Sequence, residues 1–146
     1  MKKSEKPIQI LLDNNVFVAA IHNPGRETKN LQLLLELIRN RNLHLVGNQY
    51  HLEEMSKYSE VYPSPTALLL LKALISKMKH TTVEDRYIKL CLNYMDPSCP
   101  VDIIHAATCL QTDAVLISND KHFDQIKQEK IITVWSINEA LKLFSL

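Results

Sequence analysis

The chain has 146 residues, of which 46% are hydrophobic, so it is long enough for one domain with a full core and too short for two comfortable ones. Its 17 basic and 16 acidic residues give a formal charge of +1, so no global field draws the protein toward nucleic acid or an acidic membrane. Three cysteines without a CxxC pair argue against a disulfide framework and a zinc site, and only two glycines exclude the phosphate-binding loops of ATP and NAD enzymes.

The N-terminal segment MKKSEKP is basic, but no apolar core of a secretion signal follows it, and no apolar run approaches the length of a membrane span. We therefore expect a soluble protein in the reducing cytoplasm, with residues 1–7 flexible. No repeat or Pro/Ser-rich linker divides the sequence, so residues 1–146 are expected to form a single domain.

Short apolar runs predict four strands, and apolar residues at helical spacing predict helices between them. The predicted strands are Ile8–Leu12, Leu43–Gly47, 114–118 and 131–134. A first helix is expected directly after Asp13, and a second helix, over positions 31–38, is expected after a turn at Asn23-Pro24-Gly25. A short helix then carries Glu53 and Glu54.

The second half of the chain is predicted to contain several more helices. Ser64-Pro65 begins a helix with a serine cap and a proline in its first turn, and the apolar spacing continues to Met78. Further helices are expected at about 83–94 and 100–111, so that residues 64–94 form a helical arm. The last helix begins with a capping box at Ser136 and Glu139. Strands that alternate with helices imply an α/β fold with a mainly parallel sheet.

Several acidic residues lie where a parallel sheet binds its ligands, which is beyond the carboxyl ends of the strands. Asp13 and Asp120 each follow a predicted strand, although each also suits a helix cap, a role that would stabilise the fold by roughly 1 kcal/mol. Asp102 fits the first turn of a helix, where negative charge complements the helix dipole. Glu53 and Glu54 are adjacent and point about 100° apart on a helix, so at most one of them can face the same crevice squarely.

Four segments of the chain together resemble, in order, the motifs of the PIN-domain family, which includes the VapC-like toxins of toxin-antitoxin pairs. ILLDNNVFVAA is similar to the family's strand, aspartate and apolar helix, and it nominates Asp13 with Asn15 in support. Asn14 stands where many members have Thr or Ser, and its amide can hydrogen-bond there. YHLEEMSKY looks like the helix with one site glutamate followed by an apolar residue, which favours Glu54 over Glu53.

The other two segments come from the second half of the chain. PVDIIHAATCL resembles the family's Asp-led, alanine-rich helix and nominates Asp102. LISNDKHF is close to the strand that ends in Thr or Ser, one residue, Asp, two residues and Phe, so it nominates Asp120 as the fourth acid and Ser118 as the hydroxyl. The resemblance spans about residues 8–135.

This resemblance implies a PIN-like three-layer α/β/α fold and a metal-dependent endoribonuclease. It assigns Asp13, Glu54, Asp102 and Asp120 as both catalytic residues and metal ligands. Converging carboxylates without basic partners repel one another, and their hard oxygen atoms suit Mg²⁺ or Mn²⁺ as the cofactor. The implied partners are RNA as the substrate, an antitoxin protein, and a second copy of the chain in a homodimer.

Alternatives remain open for several of these features. His105 lies three residues after Asp102 on one helix face and can approach the site, yet a histidine bonded to backbone is the commoner case. The leucine-rich helix that begins at Ser64 is either core or a partner surface. The protein is alternatively a PIN-fold binding module without useful catalysis. A phosphatase with Asp13 as nucleophile is less well supported, because Asn15 replaces the second aspartate of a DxD pattern.

Overall fold

The computed structural model describes residues 6–22, 28–61 and 63–146. The predicted turn at Asn23-Pro24-Gly25 and most of the N-terminal segment that was predicted to be flexible lie outside these ranges. Five parallel strands form one sheet in the order β3-β2-β1-β4-β5. They are β1 (Ile8–Leu12), β2 (Leu43–Gly47), β3 (Met78–His80), β4 (Val115–Ile117) and β5 (Thr133–Trp135).

Helices cover both faces of the sheet because the strands alternate their side chains between two apolar cores. In β1, Ile10 and Leu12 enter one core and Leu11 enters the other. The first core is closed by α1 (Asn14–Ile21), α2 (Lys29–Arg39), α3 (Gln49–Val61), α4 (Pro65–Lys77) and α8 (Ile137–Leu143). The second is closed by α5 (Asp85–Cys91), α6 (Pro100–Thr112), a 3-10 helix (Lys121–Phe123) and α7 (Asp124–Gln128).

This arrangement confirms the predicted three-layer α/β/α fold, and the whole sheet is parallel. The capping box of α8 is confirmed too, since Ser136 Oγ accepts from the Glu139 N–H and Glu139 Oε1 accepts from the Ser136 N–H. In the described ranges, none of the helices combines the length and apolar character that a membrane-spanning helix needs.

One predicted boundary is wrong. The helix that begins at Pro65 ends at Lys77, and Met78 begins a short edge strand that pairs with β2, so the stretch 64–94 is interrupted by β3. The helical spacing of apolar residues runs through Met78, but the strand pairing of Met78 with Leu45 overrides that local pattern. The helix that carries Glu53 and Glu54 is also longer than predicted, at 13 residues.

The order of the strands sets the position of the crevice. From β1 the chain first builds β2 and β3 on one side, and then it crosses to the other side of β1 to add β4 and β5. The point where the order reverses lies between the carboxyl ends of β1 and β4, which pair through Leu12 and Ile117. In open α/β sheets this switch point is the usual place for a ligand.

Lys77, at the end of α4, ties two helices of the first layer together. Its ammonium group donates to the carbonyl oxygens of Leu37, of Ile38 at 3.3 Å and of Asn40 at 2.8 Å, all at the C-terminal end of α2. These carbonyls have no partner within their own helix, and a cation there also complements the negative end of the helix dipole. The contact fixes the end of α2 against α4.

We therefore expect Lys77→Met to lower the free energy of unfolding by about 1–2 kcal/mol, because it removes the hydrogen bonds of a charged donor to the end of α2, where only the Asn40 carbonyl keeps a second described donor, the Leu43 N–H at 3.1 Å. Urea denaturation at neutral pH measures the change. Lys72→Met is the matched control, since Lys72 is an exposed lysine on the same helix. Equal stability of the two variants would contradict the capping role of Lys77.

Candidate active site

Asp13 lies at the carboxyl end of β1, where its backbone N–H donates to the Ile117 carbonyl of β4 at 3.0 Å. It is the N-cap of α1, and its Oδ1 accepts from the Asn15 N–H at 3.1 Å. Its Oδ2 accepts from the Ser118 hydroxyl at 2.5 Å. The same carboxylate thus caps a helix and takes part in a contact between two strand ends, so the capping interpretation and the site interpretation hold together.

Ser118 connects Asp13 to the fourth acidic residue. The side chain of Ser118 is buried at the end of β4, and its oxygen accepts from the Asp120 N–H at 3.0 Å while its hydroxyl donates to Asp13. Asp120 in turn begins the 3-10 helix, where its Oδ1 accepts from the His122 N–H at 2.9 Å. The spacing of Ser118 and Asp120 therefore turns the chain so that one hydroxyl serves both strand ends.

Asp102 approaches this cluster from the first turn of α6. Its Oδ2 accepts from His122 Nδ1 at 2.7 Å, and the same nitrogen lies 3.3 Å from Oδ1 of Asp120. The hydrogen bond that His122 donates to Asp102, followed by the charge of Asp120, raises the pKa of His122. A histidine that the family pattern did not single out thus bridges two of the four nominated acids.

Glu54 and Glu53 leave α3 in different directions. Glu54 is partly buried, and its Oε1 lies 3.4 Å from the amide nitrogen of Asn14, which follows Asp13, and 3.6 Å from Nε2 of His105. Glu53 is exposed and accepts from the side chain of Gln49 at 2.9 Å. Of the two glutamates, Glu54 is therefore the one directed toward the other acids.

A buried amide holds His105 in place behind Glu54. Asn48, directly after β2, donates from Nδ2 to His105 Nδ1 at 3.1 Å and to Thr108 Oγ1 at 3.0 Å. Because Nδ1 accepts, the proton of a neutral His105 ring lies on Nε2, on the side of Glu54. The hydrogen bond to His105 is the main cause that lowers the pKa of Glu54, which keeps this carboxylate ionised. His105 is bonded to side chains, not to backbone as in the commoner case.

His51 supports the base of the site from α3. Its side chain is fully buried, and Nε2 donates to the Leu12 carbonyl at 2.5 Å, next to Asp13. Nδ1 has no hydrogen-bond partner among the described residues. Burial is the main cause that lowers the pKa of His51 to about 4, so the ring is neutral at physiological pH.

Asp13 is the carboxylate of this group whose pKa is raised. Burial is the main cause that raises the pKa of Asp13, and the nearby charge of Asp102 adds to it, whereas Ser118 and the Asn15 N–H lower it. Within the described ranges, the imidazoles of His105 and His122 contact these carboxylates, and no lysine or arginine lies within ion-pair distance of them. Oxygen ligands with surplus negative charge suit a hard divalent cation, so this donor set fits Mg²⁺ or Mn²⁺.

The structure therefore brings Asp13, Asp102, Asp120 and Ser118 together through shared contacts, with Glu54 beside them through Asn14 and His105. Asn15 contributes its backbone N–H, while its side chain is exposed. The roles of Asn48, His51 and His122 are not evident from the sequence motifs. Asn48 follows a strand end as Asp13 does, which was the one available signal for it.

Comparison with known proteins identifies the family of the chain. The family model of the PIN domain matches residues 10–129, and the chain belongs to the PIN-domain family. This confirms the family that the four sequence segments resembled. Comparison with curated proteins found no match.

Two solved structures share the fold at low sequence identity. One is a chain of VapBC2 from Rickettsia felis, a complex solved bound to a DNA fragment from its promoter; it is 14% identical, the match covers 88% of this chain and 98% of that chain, and the TM-score is 0.57. The other is PAE2754 from Pyrobaculum aerophilum, at 14% identity, with 95% and 91% of the two chains covered and a TM-score of 0.54.

The buried His51 predicts a specific loss of stability in acid. The pKa of a histidine side chain is ordinarily 6.5, and that of His51 is about 4 in the folded protein. Between these two pH values the unfolded chain therefore binds a proton at His51 more readily than the folded chain does. The contribution of His51 to the free energy of unfolding is fully present above about pH 6.5, and it decreases as the pH falls toward 4. We expect this residue to reduce the free energy of unfolding by roughly 2–3 kcal/mol between pH 7 and pH 4.5.

Urea denaturation at both pH values measures this effect. His51→Gln should lose most of that pH-dependent difference, whatever its stability at pH 7, because the titrating ring is gone. His44→Gln, which replaces an exposed histidine of β2, should retain the difference. An unchanged pH dependence in His51→Gln would show that another group is responsible.

Proposed function

We propose that this protein is a metal-dependent endoribonuclease that hydrolyses RNA phosphodiester bonds, with Mg²⁺ or Mn²⁺ as the cofactor. The observation that carries the proposal is the grouping of Asp13, Glu54, Asp102 and Asp120 around the switch point of the sheet, where imidazoles and no lysine or arginine contact them within the described ranges. Capping explains single aspartates, but it does not explain why acids from four separate segments are linked through Ser118, His122, Asn14 and His105. Membership of the PIN-domain family supports a nuclease.

Asp13 is the leading metal ligand in this proposal, because it lies at the centre of the group. Ser118 and the Asn15 N–H hold its two oxygens in fixed directions, so the carboxylate is oriented before any ion arrives. A cation also lowers the raised pKa of this buried carboxylate by neutralising its charge. Asp102 and Asp120 complete the set from α6 and from the turn after β4.

Glu54 has a different environment and therefore a different proposed role. It is already ionised through its contact with His105, so it can bind the ion or orient an attacking water by accepting a hydrogen bond. The divalent ion, when bound, would supply positive charge for the phosphate group and would favour ionisation of water for the attack. The protein side chains would hold the phosphodiester in line with that water.

The test is cleavage of a mixed-sequence, fluorescently labelled RNA, with DNA of the same sequence in parallel, in Mg²⁺, Mn²⁺ or EDTA. Wild type should cut RNA with either metal and not with EDTA. Asp13→Asn and Glu54→Gln should lower the cleavage rate by about 100-fold or more, a loss of roughly 3 kcal/mol of transition-state stabilisation. Asn is also a good N-cap, so Asp13→Asn should keep its fold, which circular dichroism checks.

Glu53→Gln is the matched control, because Glu53 is the exposed neighbour of Glu54 and should be dispensable. Equal activity of Glu54→Gln and wild type would remove Glu54 from the site. If wild type cuts no RNA with any metal but binds it as well as Asp13→Asn does, the binding-module alternative replaces the enzyme. Hydrolysis of p-nitrophenyl phosphate without RNA cleavage would instead indicate a phosphatase.

We further propose that the protein is a cytoplasmic homodimer that pairs with an antitoxin protein. The supporting surface is the outer side of α4, where Leu68 and Leu69 are 49% and 68% exposed, with Val61 and Ile75 nearby in the sequence and also exposed. Exposed apolar residues on one helix are typical of protein interfaces. The structural similarity to a chain of the VapBC2 complex is consistent with such a partner.

Light scattering coupled to gel filtration should therefore give the mass of a dimer for the wild type. Leu69→Lys should shift the protein toward monomer, because the substitution places a charge in the proposed interface. Leu143→Lys is the matched control, since Leu143 is a similarly exposed leucine on α8. A monomeric wild type would refute the homodimer.

A further inference from the structure

Three chemically different side chains meet at the outer edge of the acidic site. They are the thiol of Cys99, which is the N-cap of α6, the carboxylate of Asp102 and the imidazole of His122. One ligand atom from each lies within 4.8 Å of the other two. A sulfur, a nitrogen and an oxygen atom together make a donor set that magnesium does not use and that zinc commonly does.

We propose that Cys99, Asp102 and His122 bind a borderline divalent cation, Zn²⁺ above all, and that this ion inhibits the magnesium-dependent reaction by occupying Asp102. The inhibitory part of the proposal rests on the proposed function, whereas the binding part does not. The fourth position of the zinc ion would be filled by water.

The ligand atoms lie close enough together for one ion to bind all three side chains. Two ligands of a tetrahedral zinc ion lie ~3.3–3.6 Å apart, given zinc–ligand distances of about 2.0–2.3 Å. Here Cys99 Sγ lies 3.9 Å from His122 Nε2, and Asp102 Oδ2 lies 2.7 Å from His122 Nδ1. These two distances go to different nitrogens of the same ring, and the ion would bind only one of them. Because one ligand atom from each residue lies within 4.8 Å of the other two, side-chain rotations would bring the three atoms to the tetrahedral spacing.

Accessibility distinguishes Cys99 from the other two cysteines. Cys91 and Cys109 are fully buried, and burial raises the pKa of the Cys91 thiol to about 11 and that of Cys109 further still. Cys99 is partly exposed, and its contacts are the weak ones to Ser98 at 3.8 Å and to His122. Binding exchanges its thiol proton for the metal ion, and the proton passes to solvent.

Asp102 is shared between the proposed zinc site and the proposed magnesium site. Asp102 belongs to the proposed magnesium ligands, and its charge also acts on Asp13. A zinc ion bound through Asp102 would withdraw one oxygen ligand from magnesium and would add positive charge beside the remaining carboxylates. The two ions would therefore compete, although each has ligands of its own.

Co²⁺ is the probe for the binding step, because a cobalt–thiolate bond gives a charge-transfer band in the near ultraviolet and Zn²⁺ should displace it. The reduced full chain should show this band, and Cys99→Ser should lose it. His122→Gln should weaken cobalt binding about tenfold or more. His80→Gln, at an exposed histidine outside the cluster, should bind as the wild type does. A wild type without the band, or an equal band in Cys99→Ser, would overturn the site.

RNA cleavage in Mg²⁺ with increasing Zn²⁺ tests the second step. Wild type and His80→Gln should be inhibited, whereas Cys99→Ser should cleave normally in Mg²⁺ and require at least about tenfold more Zn²⁺ for the same inhibition. Equal zinc sensitivity of Cys99→Ser and wild type would refute inhibition through this site. Cobalt binding through Cys99 without RNA cleavage in any metal would contradict the proposed function and support the cation site.

Discussion

The parallel pairing of β1 with β4 is the constraint on which the candidate site depends. It sets Leu12 opposite Ile117, so the residues that follow, Asp13 and Ser118, leave the sheet side by side and form a 2.5 Å hydrogen bond. That contact then places Asp120 through its backbone N–H. A shift of this pairing by one residue would turn the apolar side chains of β1 to the wrong cores, so the packing of the sheet and the position of the acids are specified together. The positions of Asp13 and Ser118 in the candidate site therefore depend on the register between β1 and β4.

A network of buried polar side chains, which spans both helical layers, supports the acids without adding negative charge. Asn48, His51 and His105 are buried polar residues that bond to one another or to backbone, and they connect the end of β2 with the end of β1 and with α6. Such a network is costly to bury unless most of its groups are paired, and it therefore holds its members in one arrangement. His105, one member of this network, contacts Glu54. The glutamate is consequently positioned by buried amides and imidazoles, while Asp13 is positioned by a strand end and a helix cap.

The fold class could be predicted from the sequence because it rests on local signals. The apolar run before Asp13, the serine and proline at 64–65 and the capping box at Ser136 each act within a few residues, and the elements lie close to where those signals place them. The edge strand β3 could not be predicted, since its three residues continue a helical pattern and become a strand only by pairing with β2. The same distinction applies to the site. The acids were recognisable from their motifs, whereas the bridge from His122 to Asp102 and the support of Glu54 by His105 depend on contacts between distant segments.

The central place of β1 in the sheet also bears on how the protein is made. The nascent chain delivers Asp13 and Glu54 early, yet Asp102, Ser118 and Asp120 emerge only after β1, β2 and β3 are complete, and β4 must then be added along the open edge of β1. Domains form as units during synthesis, and a strand that comes late in the chain cannot pair before it has left the ribosome. A growing chain therefore carries half of the acidic group on an unfinished sheet until β4 and the turn that follows it have left the ribosome. An enzyme that attacks RNA would in this way remain harmless to the messenger and the ribosome that are producing it.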